Sequence, residues 1–248
     1  MRPLIFAANW KMNIGPDDAR AYASTFLSKV HPRADRELWF FPPMVSLEAT
    51  AQAMHGRPDT KVGAQNIYWE PKGAFTGSTS VALAKAAGAT TALVGHSERR
   101  HIFGESEGDT AKKVHAVLAG GLIPLLCVGE KLEEREQDET ETVVLRQLGS
   151  ACATLGPDQL RKVVIAYEPV WAIGTGKNAT PEDAATVHRV IRAELQQRGH
   201  DQPSILYGGS VSEKNIKHLL KEPEIDGVLV GGASLDPEGW ARIVETGR

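Results

Sequence analysis

The amino-acid sequence predicts an α/β fold, a single-domain (β/α)8 barrel that occupies residues 1–248. Eight short apolar runs alternate with amphipathic segments, as strands and helices do in repeated βα units. Dividing 248 residues over eight units gives about 31 residues per unit, which is the scale of such a barrel. No Pro/Ser-rich linker, charge block or low-complexity tract divides the chain. A doubly wound open sheet shares the alternation and is the competing fold.

The apolar runs are the predicted strands. In chain order they cover Leu4–Ala8, Leu38–Phe41, Val62–Ala64, Thr91–Val94, Ile123–Val128, Val163–Ala166, Ile205–Tyr207 and Val228–Val230. The clearest amphipathic helices cover Asp17–Val30, Thr110–Ala119, Glu139–Ala153 and Glu182–Arg198. The last of these has a strong start signal, because Thr180 is a good N-cap and Pro181 suits the first helical position.

Polar and glycine-rich groups follow five of the runs, and their placement favours the barrel over the open sheet. They are Asn9 and Lys11 after the first run, His96 after the fourth, Glu168 after the sixth, Gly208-Gly209-Ser210 after the seventh and Gly231-Gly232 after the eighth. In a barrel these positions all meet at the C-terminal rim, where active sites form. An open sheet would separate the first group from the last. We therefore expect one site that draws on five strands.

The segment Ala166–Gly176 carries the strongest functional signal. Glu168 is expected at a strand end, because Pro169 favours an extended residue before it and stops the strand. The apolar patch Val170–Ile173 is followed by two glycines, a composition that suits a lid able to expel water from a site. A carboxylate beneath such a lid is expected to act as a general base. An ordinary strand-to-helix turn is the alternative, although solvated loops rarely place a Trp and an Ile so close together.

The two late glycine clusters have the composition of an anion site. Tyr207–Ser210 and Val230–Ala233 let backbone N–H groups approach an anion with no Cβ in the way. In barrels the loops after strands seven and eight usually form the phosphate-binding site, although either glycine pair alone could form a tight turn.

The sequence does not match the known nucleotide-binding motifs. The stretch ending in Gly176-Lys177 lacks the first Gly and the Ser or Thr of a P-loop, and Ala179 replaces the last Gly of a dinucleotide-binding loop.

His96 and Lys11 are candidate catalytic side chains. His96 and Glu98 match the His-x-Glu of a zinc deaminase, but Cys127 does not begin the Cys-x-x-Cys that this site needs, so no metal is expected. A lone His after a strand is usually a satisfied residue, and an isolated Lys is usually a solvated charge. At a barrel rim that also holds Glu168, a catalytic role explains both better.

Composition and charge favour a cytoplasmic enzyme that acts on a small molecule. The chain has 28 Lys and Arg against 31 Asp and Glu, a net charge of −3, so nucleic acid and anionic membranes are not expected partners. Its two cysteines, Cys127 and Cys152, suit a reducing compartment, and we expect both to be buried as small apolar residues. The N-terminal apolar run is too short for a signal peptide, and no run approaches the length of a membrane span.

Six segments together resemble the triosephosphate isomerase family, from end to end and in the family's order and spacing. They are Asn9–Asn13, Gly95–Arg100, Cys127–Glu130, Ala166–Lys177, Tyr207–Val211 and Asp226–Leu235. The resemblance implies a TIM barrel that interconverts D-glyceraldehyde 3-phosphate and dihydroxyacetone phosphate through an enediol(ate). It further implies a role in glycolysis and gluconeogenesis and the use of no cofactor.

The site residues then take roles as a hypothesis. Glu168 would be the base, and His96 would be a neutral electrophile that donates a hydrogen bond. Lys11 would supply a fixed positive charge, with Asn9 beside it. The resemblance adds Glu98 as a supporting carboxylate. It also implies that the triose phosphate is bound by Asn9, Lys11, Gly174, Ser210, Gly231 and Gly232.

The family is typically homodimeric, and Gln65–Thr79 resembles the long loop that enters the neighbouring subunit. Its core, Gly73–Gly77, matches well, and Thr76 would approach the partner's active-site region. Ser78 stands where the family usually has Glu. This change removes a charge and a hydrogen-bonding partner from the expected interface.

Two other functions stay open at this stage. One is a phosphate-gripping barrel isomerase that acts on a larger sugar phosphate. The other is a non-catalytic sugar-phosphate binder on the same scaffold, since fold alone does not fix function. A binder would be expected to lack Lys11, His96 or Glu168, and all three are present.

Overall fold

The computed structural model describes residues 2–173 and 179–247, which form a closed (β/α)8 barrel. The strands are β1 Leu4–Asn9, β2 Arg36–Phe41, β3 Thr60–Ala64, β4 Thr91–Val94, β5 Ile123–Val128, β6 Val164–Tyr167, β7 Ile205–Tyr207 and β8 Gly227–Val230. Each predicted apolar run coincides with one of these strands, with ends that differ by two residues at most. The predicted strands are therefore confirmed.

Pairing between the first and last strands closes the sheet. Ile5 of β1 lies opposite Gly227 of β8, and Ala8 lies opposite Val230, in a parallel register. Every other strand pairs in parallel with the next one along the chain. An open sheet would leave β1 and β8 unpaired with each other, so the barrel is confirmed and the open sheet is wrong.

Helices cover the outside of the barrel. They are α1 Pro16–Lys29, α2 Leu47–Ala53, α3 Val81–Ala86, α4 Ser97–His101, α5 Glu107–Ala119, α6 Leu132–Glu136, α7 Thr140–Cys152, α8 Pro157–Leu160, α9 Pro181–Gln197, α10 Ile216–Leu219 and α11 Pro237–Thr246, with short 3-10 turns at Met44–Ser46, Val170–Ala172 and Gly232–Ser234. The expected cap is present, because Thr180 Oγ1 accepts the Asp183 N–H at 3.1 Å. Over the described ranges, no helix has both the length and the apolar character to cross a membrane.

Alternation of side chains along the strands divides the core into two layers. In β2, Trp39 and Phe41 pack inside the barrel, whereas Leu38 and Phe40 pack outward against helices. The ring of Phe40 lies 5.4 Å from that of Phe26 in α1. Because side chains fill the middle of the barrel, the residues that follow each strand are held on a packed frame at its rim.

Candidate active site

A cavity of about 360 Å³ lies at the C-terminal rim and is lined by most of the predicted site residues. Its lining consists of Asn9, Lys11, His96, Glu168, Ile173, Gly208–Val211 and Leu229–Ala233. These residues follow or end β1, β4, β6, β7 and β8, the five strands that the sequence indicated. Glu98 reaches the same rim from α4. Gly174 lies outside the described residues, so its place in the site stays a prediction.

The carboxylate of Glu168 is buried on the floor of the cavity. Its residue is 2 % exposed and follows β6, where its backbone N–H donates to the Val128 carbonyl of β5 at 2.8 Å. Oε2 accepts the Ser97 N–H at 2.8 Å, and Oε1 lies 3.0 Å from His96 Nε2. Burial opposes ionisation, but His96 and the Ser97 N–H outweigh it and hold the pKa of Glu168 below its ordinary value. The buried carboxylate is therefore ionised, as a general base requires.

His96 presents a hydrogen-bond donor to the cavity. It is the N-cap of α4, where its Nδ1 accepts the Glu98 N–H at 3.3 Å. Nε2 lies 3.0 Å from Glu168 Oε1 and 3.2 Å from Asn9 Nδ2. A ring nitrogen that accepts an N–H carries no proton, and a carboxylate can only accept. We therefore assign the ring proton to Nε2.

The pKa of His96 depends on where the Glu168 carboxylate stands. Burial is the largest influence and lowers this pKa, whereas the negative charge of Glu168 raises it, and in the present arrangement the pKa lies above its ordinary value. If Glu168 takes up a proton, its raising influence disappears, and burial and the charge of Lys11, opposed by the charge of Glu98, shift the pKa of His96 down toward the neutral ring. The imidazole then offers Nε2–H as an uncharged donor.

Lys11 has a left-handed backbone conformation, with φ of 51°, which is uncommon outside glycine. Two neighbouring side chains hold it. Asn9 Oδ1 accepts the Lys11 N–H at 3.0 Å, and Gln65 Nε2 donates to the Lys11 carbonyl at 2.7 Å. The ammonium group donates to Glu98 Oε1 at 2.7 Å. The structure thus brings Lys11, Asn9 and Glu98 together and fixes the cation at the rim of the cavity.

Two walls of different construction face each other across the cavity. We call Asn9, Lys11, His96 and Glu168 the side-chain wall, and Gly208, Gly209, Ser210, Gly231 and Gly232 the glycine wall. In the glycine wall the Gly208 N–H donates to the Tyr167 carbonyl at 2.7 Å, and the missing Cβ atoms of Gly209, Gly231 and Gly232 allow an anion to approach the backbone. The two walls nearly meet at Gly231, where a Cβ would lie 3.1 Å from Lys11 Cε.

Three residues support the site although the sequence predicts no role for them in it. The Ser97 N–H donates to the Glu168 carboxylate. Gln65, which the sequence predicts only as part of the interface loop, donates to the Lys11 carbonyl. Gln147 of α7 accepts the Gly129 N–H at 2.9 Å and donates to the Gly129 carbonyl at 3.1 Å. A Cβ on Gly129 would overlap the Glu168 carbonyl, so the backbones of the two residues are packed directly against each other. The two hydrogen bonds from Gln147 to Gly129 therefore support the backbone of Glu168. Gln147 could have been noticed in the sequence, because it lies on the apolar face of a predicted helix, where a buried side-chain amide needs hydrogen-bond partners.

The segment predicted to form a lid is described as far as Ile173. Within it, Trp171 Nε1 donates to the buried Glu130 carboxylate at 2.8 Å. The Arg135 guanidinium carbon lies 4.5 Å from the centroid of the Trp171 ring. Residues 174–178 lie outside the described part of the chain, so closure of the segment stays a prediction.

Both cysteines are buried, as expected. Burial raises the pKa of Cys127 well above its ordinary value and that of Cys152 to about 12. Each thiol is therefore neutral at physiological pH and packs as a small apolar group.

Comparison with known proteins shows one consistent similarity. The family model described as "Triosephosphate isomerase" matches residues 4–247. The chain is 48 % identical over 247 residues to a triosephosphate isomerase of Aquifex aeolicus (strain VF5), covering 98 % of this chain and 99 % of the relative. It is 46 % identical over 248 residues to those of Solibacter usitatus (strain Ellin6076) and Roseiflexus sp. (strain RS-1), covering 98 % of this chain and 99 % and 97 % of the relatives.

Proposed function

Because this chain belongs to the triosephosphate isomerase family, we propose that the cavity at the barrel rim is its active site. The enzyme interconverts D-glyceraldehyde 3-phosphate and dihydroxyacetone phosphate, a step of glycolysis and gluconeogenesis. The observation that carries the assignment is the 3.0 Å contact between Glu168 Oε1 and His96 Nε2, opposite the glycine wall. Family membership favours this reaction over a larger sugar phosphate and over a non-catalytic binder.

In this proposal Glu168 is the base that moves the proton between adjacent carbons. Its carboxylate takes a proton from the carbon next to the carbonyl, the C–H electrons form the C=C bond of an enediolate, and the carbonyl oxygen becomes negative. Protonated Glu168 then returns the proton to the neighbouring carbon. To reach the substrate, the carboxylate must leave the Ser97 N–H and His96, which hold it at 2.8 Å and 3.0 Å.

His96 and Lys11 stabilise the negative charge that forms on the substrate oxygens. Nε2–H of His96 donates to the developing oxyanion and carries the hydroxyl proton between the two oxygens. Lys11 adds a fixed positive charge, and Glu98 holds its ammonium group at 2.7 Å. Asn9 lies between them, with contacts to both residues. Fixed donors of this kind stabilise a transition state because they need no reorganisation when charge appears.

The phosphate of the substrate is bound by the glycine wall. Backbone N–H groups of Ser210, Gly231 and Gly232 donate to its oxygens, together with Gly174, and Lys11 balances part of its charge. The segment around Gly174 closes over the enediolate and keeps it from losing phosphate. Deletion of residues 173–175 should therefore increase the release of inorganic phosphate and methylglyoxal, and unchanged partitioning would contradict the lid.

The enzyme is a homodimer whose loop Gln65–Thr79 enters the partner subunit. Met12 and Phe103 expose 94 % and 65 % of their surface and line a cavity of about 220 Å³ beside the active site. Exposed apolar groups around such a cavity suit a protein partner, and the tip of the loop at Thr76 is its proposed occupant. Sedimentation should show a dimer at micromolar concentration, and a monomer there would contradict the proposal.

The proposed domain organisation rests on the closed barrel, and the proposed location rests on the two cysteines. Residues 1–248 form one domain, because the eight βα units share one closed barrel. We place the enzyme in the cytoplasm, where a reducing environment suits its two free, buried cysteines.

The test of the site is isomerisation of glyceraldehyde 3-phosphate by the wild type and by Glu168→Gln, with NADH-dependent reduction of dihydroxyacetone phosphate as the readout. Removing the base should lower kcat by about 10³-fold or more while the variant stays folded. The matched control is Glu182→Gln, since Glu182 lies in the first turn of α9 and outside the cavity lining. A Glu168→Gln enzyme with near-normal kcat would overturn the assignment of the base.

A further inference from the structure

Arg100 joins the ends of two strands that carry the site, although it does not line the cavity. It lies in α4, and its side chain folds back toward the barrel. Nε donates to the Gly95 carbonyl at 2.7 Å, directly after β4. Nη2 donates to the Cys127 carbonyl of β5 at 3.1 Å. One planar guanidinium thus cross-links two neighbouring strand ends.

The chain is shaped to receive this guanidinium. Gly95 has φ of +69°, a left-handed conformation that favours glycine and turns its carbonyl toward Arg100. A Cβ on Gly95 would lie 2.6 Å from Arg100 Nη2, so any larger residue would push the guanidinium away. The close approach therefore depends on both the arginine and the glycine.

The two strand ends that Arg100 links hold the two members of the proposed catalytic pair. His96 follows Gly95 directly, and its carbonyl accepts the Arg100 N–H at 3.1 Å. On β5, the Val128 carbonyl next to Cys127 accepts the Glu168 N–H at 2.8 Å. A shift of one strand end relative to the other would change the 3.0 Å separation between His96 Nε2 and Glu168 Oε1.

The positive charge of Arg100 interacts with two backbone carbonyl groups and with the carboxylate of Glu168. Within the described part of the chain, both side-chain hydrogen bonds of Arg100 go to carbonyl oxygens rather than to a carboxylate. Glu168 is among the carboxylates whose negative charge acts on it. The same attraction favours the ionised form of Glu168, in addition to the larger influences of His96 and the Ser97 N–H.

We propose that Arg100 is a positioning residue, which sets the relative placement of His96 and Glu168 by clamping the ends of β4 and β5. This proposal rests on the active site assigned above. It predicts a specific division, since Arg100 does not line the cavity and, among the described residues, its side chain donates only to the ends of β4 and β5. Loss of the clamp should disturb proton transfer and leave substrate binding almost unchanged.

The experiment compares Arg100→Met, Arg100→Lys and Arg100→Ala with the matched control Arg146→Met. Arg146 lies on α7, is 53 % exposed and pairs with Glu107 at 2.9 Å, well outside the site. The Met variant should lose about 10- to 100-fold in kcat with KM within about twofold of wild type, because small misplacements of reacting groups carry such costs. The Lys variant, which keeps the charge but cannot bridge both carbonyls, should lie between Met and wild type. Guanidinium chloride at millimolar concentration should restore part of the kcat of Arg100→Ala, and sodium chloride should not.

Three results would overturn the proposal. They are a folded Met variant with wild-type kcat, equal changes of kcat and KM, and a folded Ala variant that guanidinium does not restore. If the Met and Ala variants do not fold, Arg100→Lys decides, since full kcat there would show that the two-point clamp is not needed. Glu168→Gln is assayed alongside, because its activity tests the site itself. An inactive Glu168→Gln together with a fully active Arg100→Met would refute the clamp alone.

Discussion

The side-chain wall and the glycine wall of the cavity are built on opposite principles. In the side-chain wall each reactive atom is tied to a neighbour, as Glu168 is to Ser97 and Lys11 is to Glu98. In the glycine wall the groups proposed to bind the phosphate are backbone N–H groups, and Gly231 and Gly232 carry no side chains. One wall depends on which side chains are present, and the other depends on their absence.

This difference separates the chemistry from the binding. An interaction that strengthens only in the transition state raises kcat, whereas one that is equal for substrate and transition state lowers KM. We therefore expect substitutions of Glu168 and His96 in the side-chain wall to lower kcat and substitutions in the glycine wall to raise KM, whereas Asn9 and Lys11 also bind the substrate and should affect both constants. Kinetic constants of variants in each wall test this expectation.

The largest effect is expected for Glu168→Asp. The shorter side chain keeps the charge but withdraws the carboxylate by one methylene, so the base no longer reaches the substrate carbon. We expect kcat to fall by about 10²- to 10³-fold, with KM changed only a few-fold. Steady-state kinetics in both directions would measure this, and a nearly fully active variant would show that Glu168 is not the base.

A somewhat smaller effect is expected for His96→Gln, which keeps a hydrogen-bond donor but loses the imidazole. The oxyanion then has a poorer donor, and the hydroxyl proton has no carrier. We expect kcat to fall by about 10²-fold. The same assay reports KM, and a large rise in KM with unchanged kcat would place His96 with the binding groups instead.

In the glycine wall, Gly232→Ala should act mainly on KM. A Cβ at this position would meet no atom within 4 Å, so the fold should tolerate it, yet the methyl group would crowd the bound phosphate. We expect KM to rise by about 10-fold and kcat to change by less than about threefold. Gly156→Ala is the control, since its Cβ also meets no atom within 4 Å but lies before α8, away from the site.

The smallest effect on catalysis is expected behind the side-chain wall, at His188. Its ring packs edge-on against Tyr167 of β6, and burial lowers the pKa of His188 to about 3. An unfolded His has a pKa of about 6.5, so the unfolded state binds more protons at acidic pH, and stability is lost as pH falls from 6.5 toward 3. Between pH 6.5 and 4 this group should lower the free energy of unfolding by about 3 kcal/mol.

His188→Asn tests this assignment, because it keeps a donor for the Glu224 carbonyl, which lies 3.0 Å from His188 Nδ1, and removes the titration. Urea unfolding from pH 4 to 7, at one protein concentration, should show a shallower pH dependence for the variant. Its kcat at pH 7 should match the wild type. An unchanged pH dependence would contradict the assignment.

The sequence predicted the fold and both walls for identifiable physical reasons. Apolar runs marked the strands because their residues are buried on both faces, and the positions after them converge in any closed barrel. Glu168, His96 and Lys11 could be found because each lies within two residues of the end of a strand. The glycines could be found because two pairs occur at matching points of successive units.

The supporting contacts could not be predicted, because they join elements that are distant along the chain. Ser97 and Glu168 are 71 residues apart, and their hydrogen bond uses a backbone N–H, which every non-proline residue has. Gln65 and Gln147 hold backbone groups in the same way, and nothing in their local sequence names the partner. The left-handed backbone of Lys11 is likewise imposed by neighbours.

Binding of glycerol 3-phosphate, which carries the phosphate but lacks the carbonyl, tests the division between the walls most directly. Titration calorimetry would compare the wild type with Glu168→Gln, His96→Gln and Gly232→Ala. We expect the first two variants to bind within about threefold of the wild type although their kcat collapses, and Gly232→Ala to bind about 10-fold more weakly. If Glu168→Gln lost as much affinity as Gly232→Ala, the side-chain wall would also be a binding wall, and the separation of chemistry from binding would be wrong.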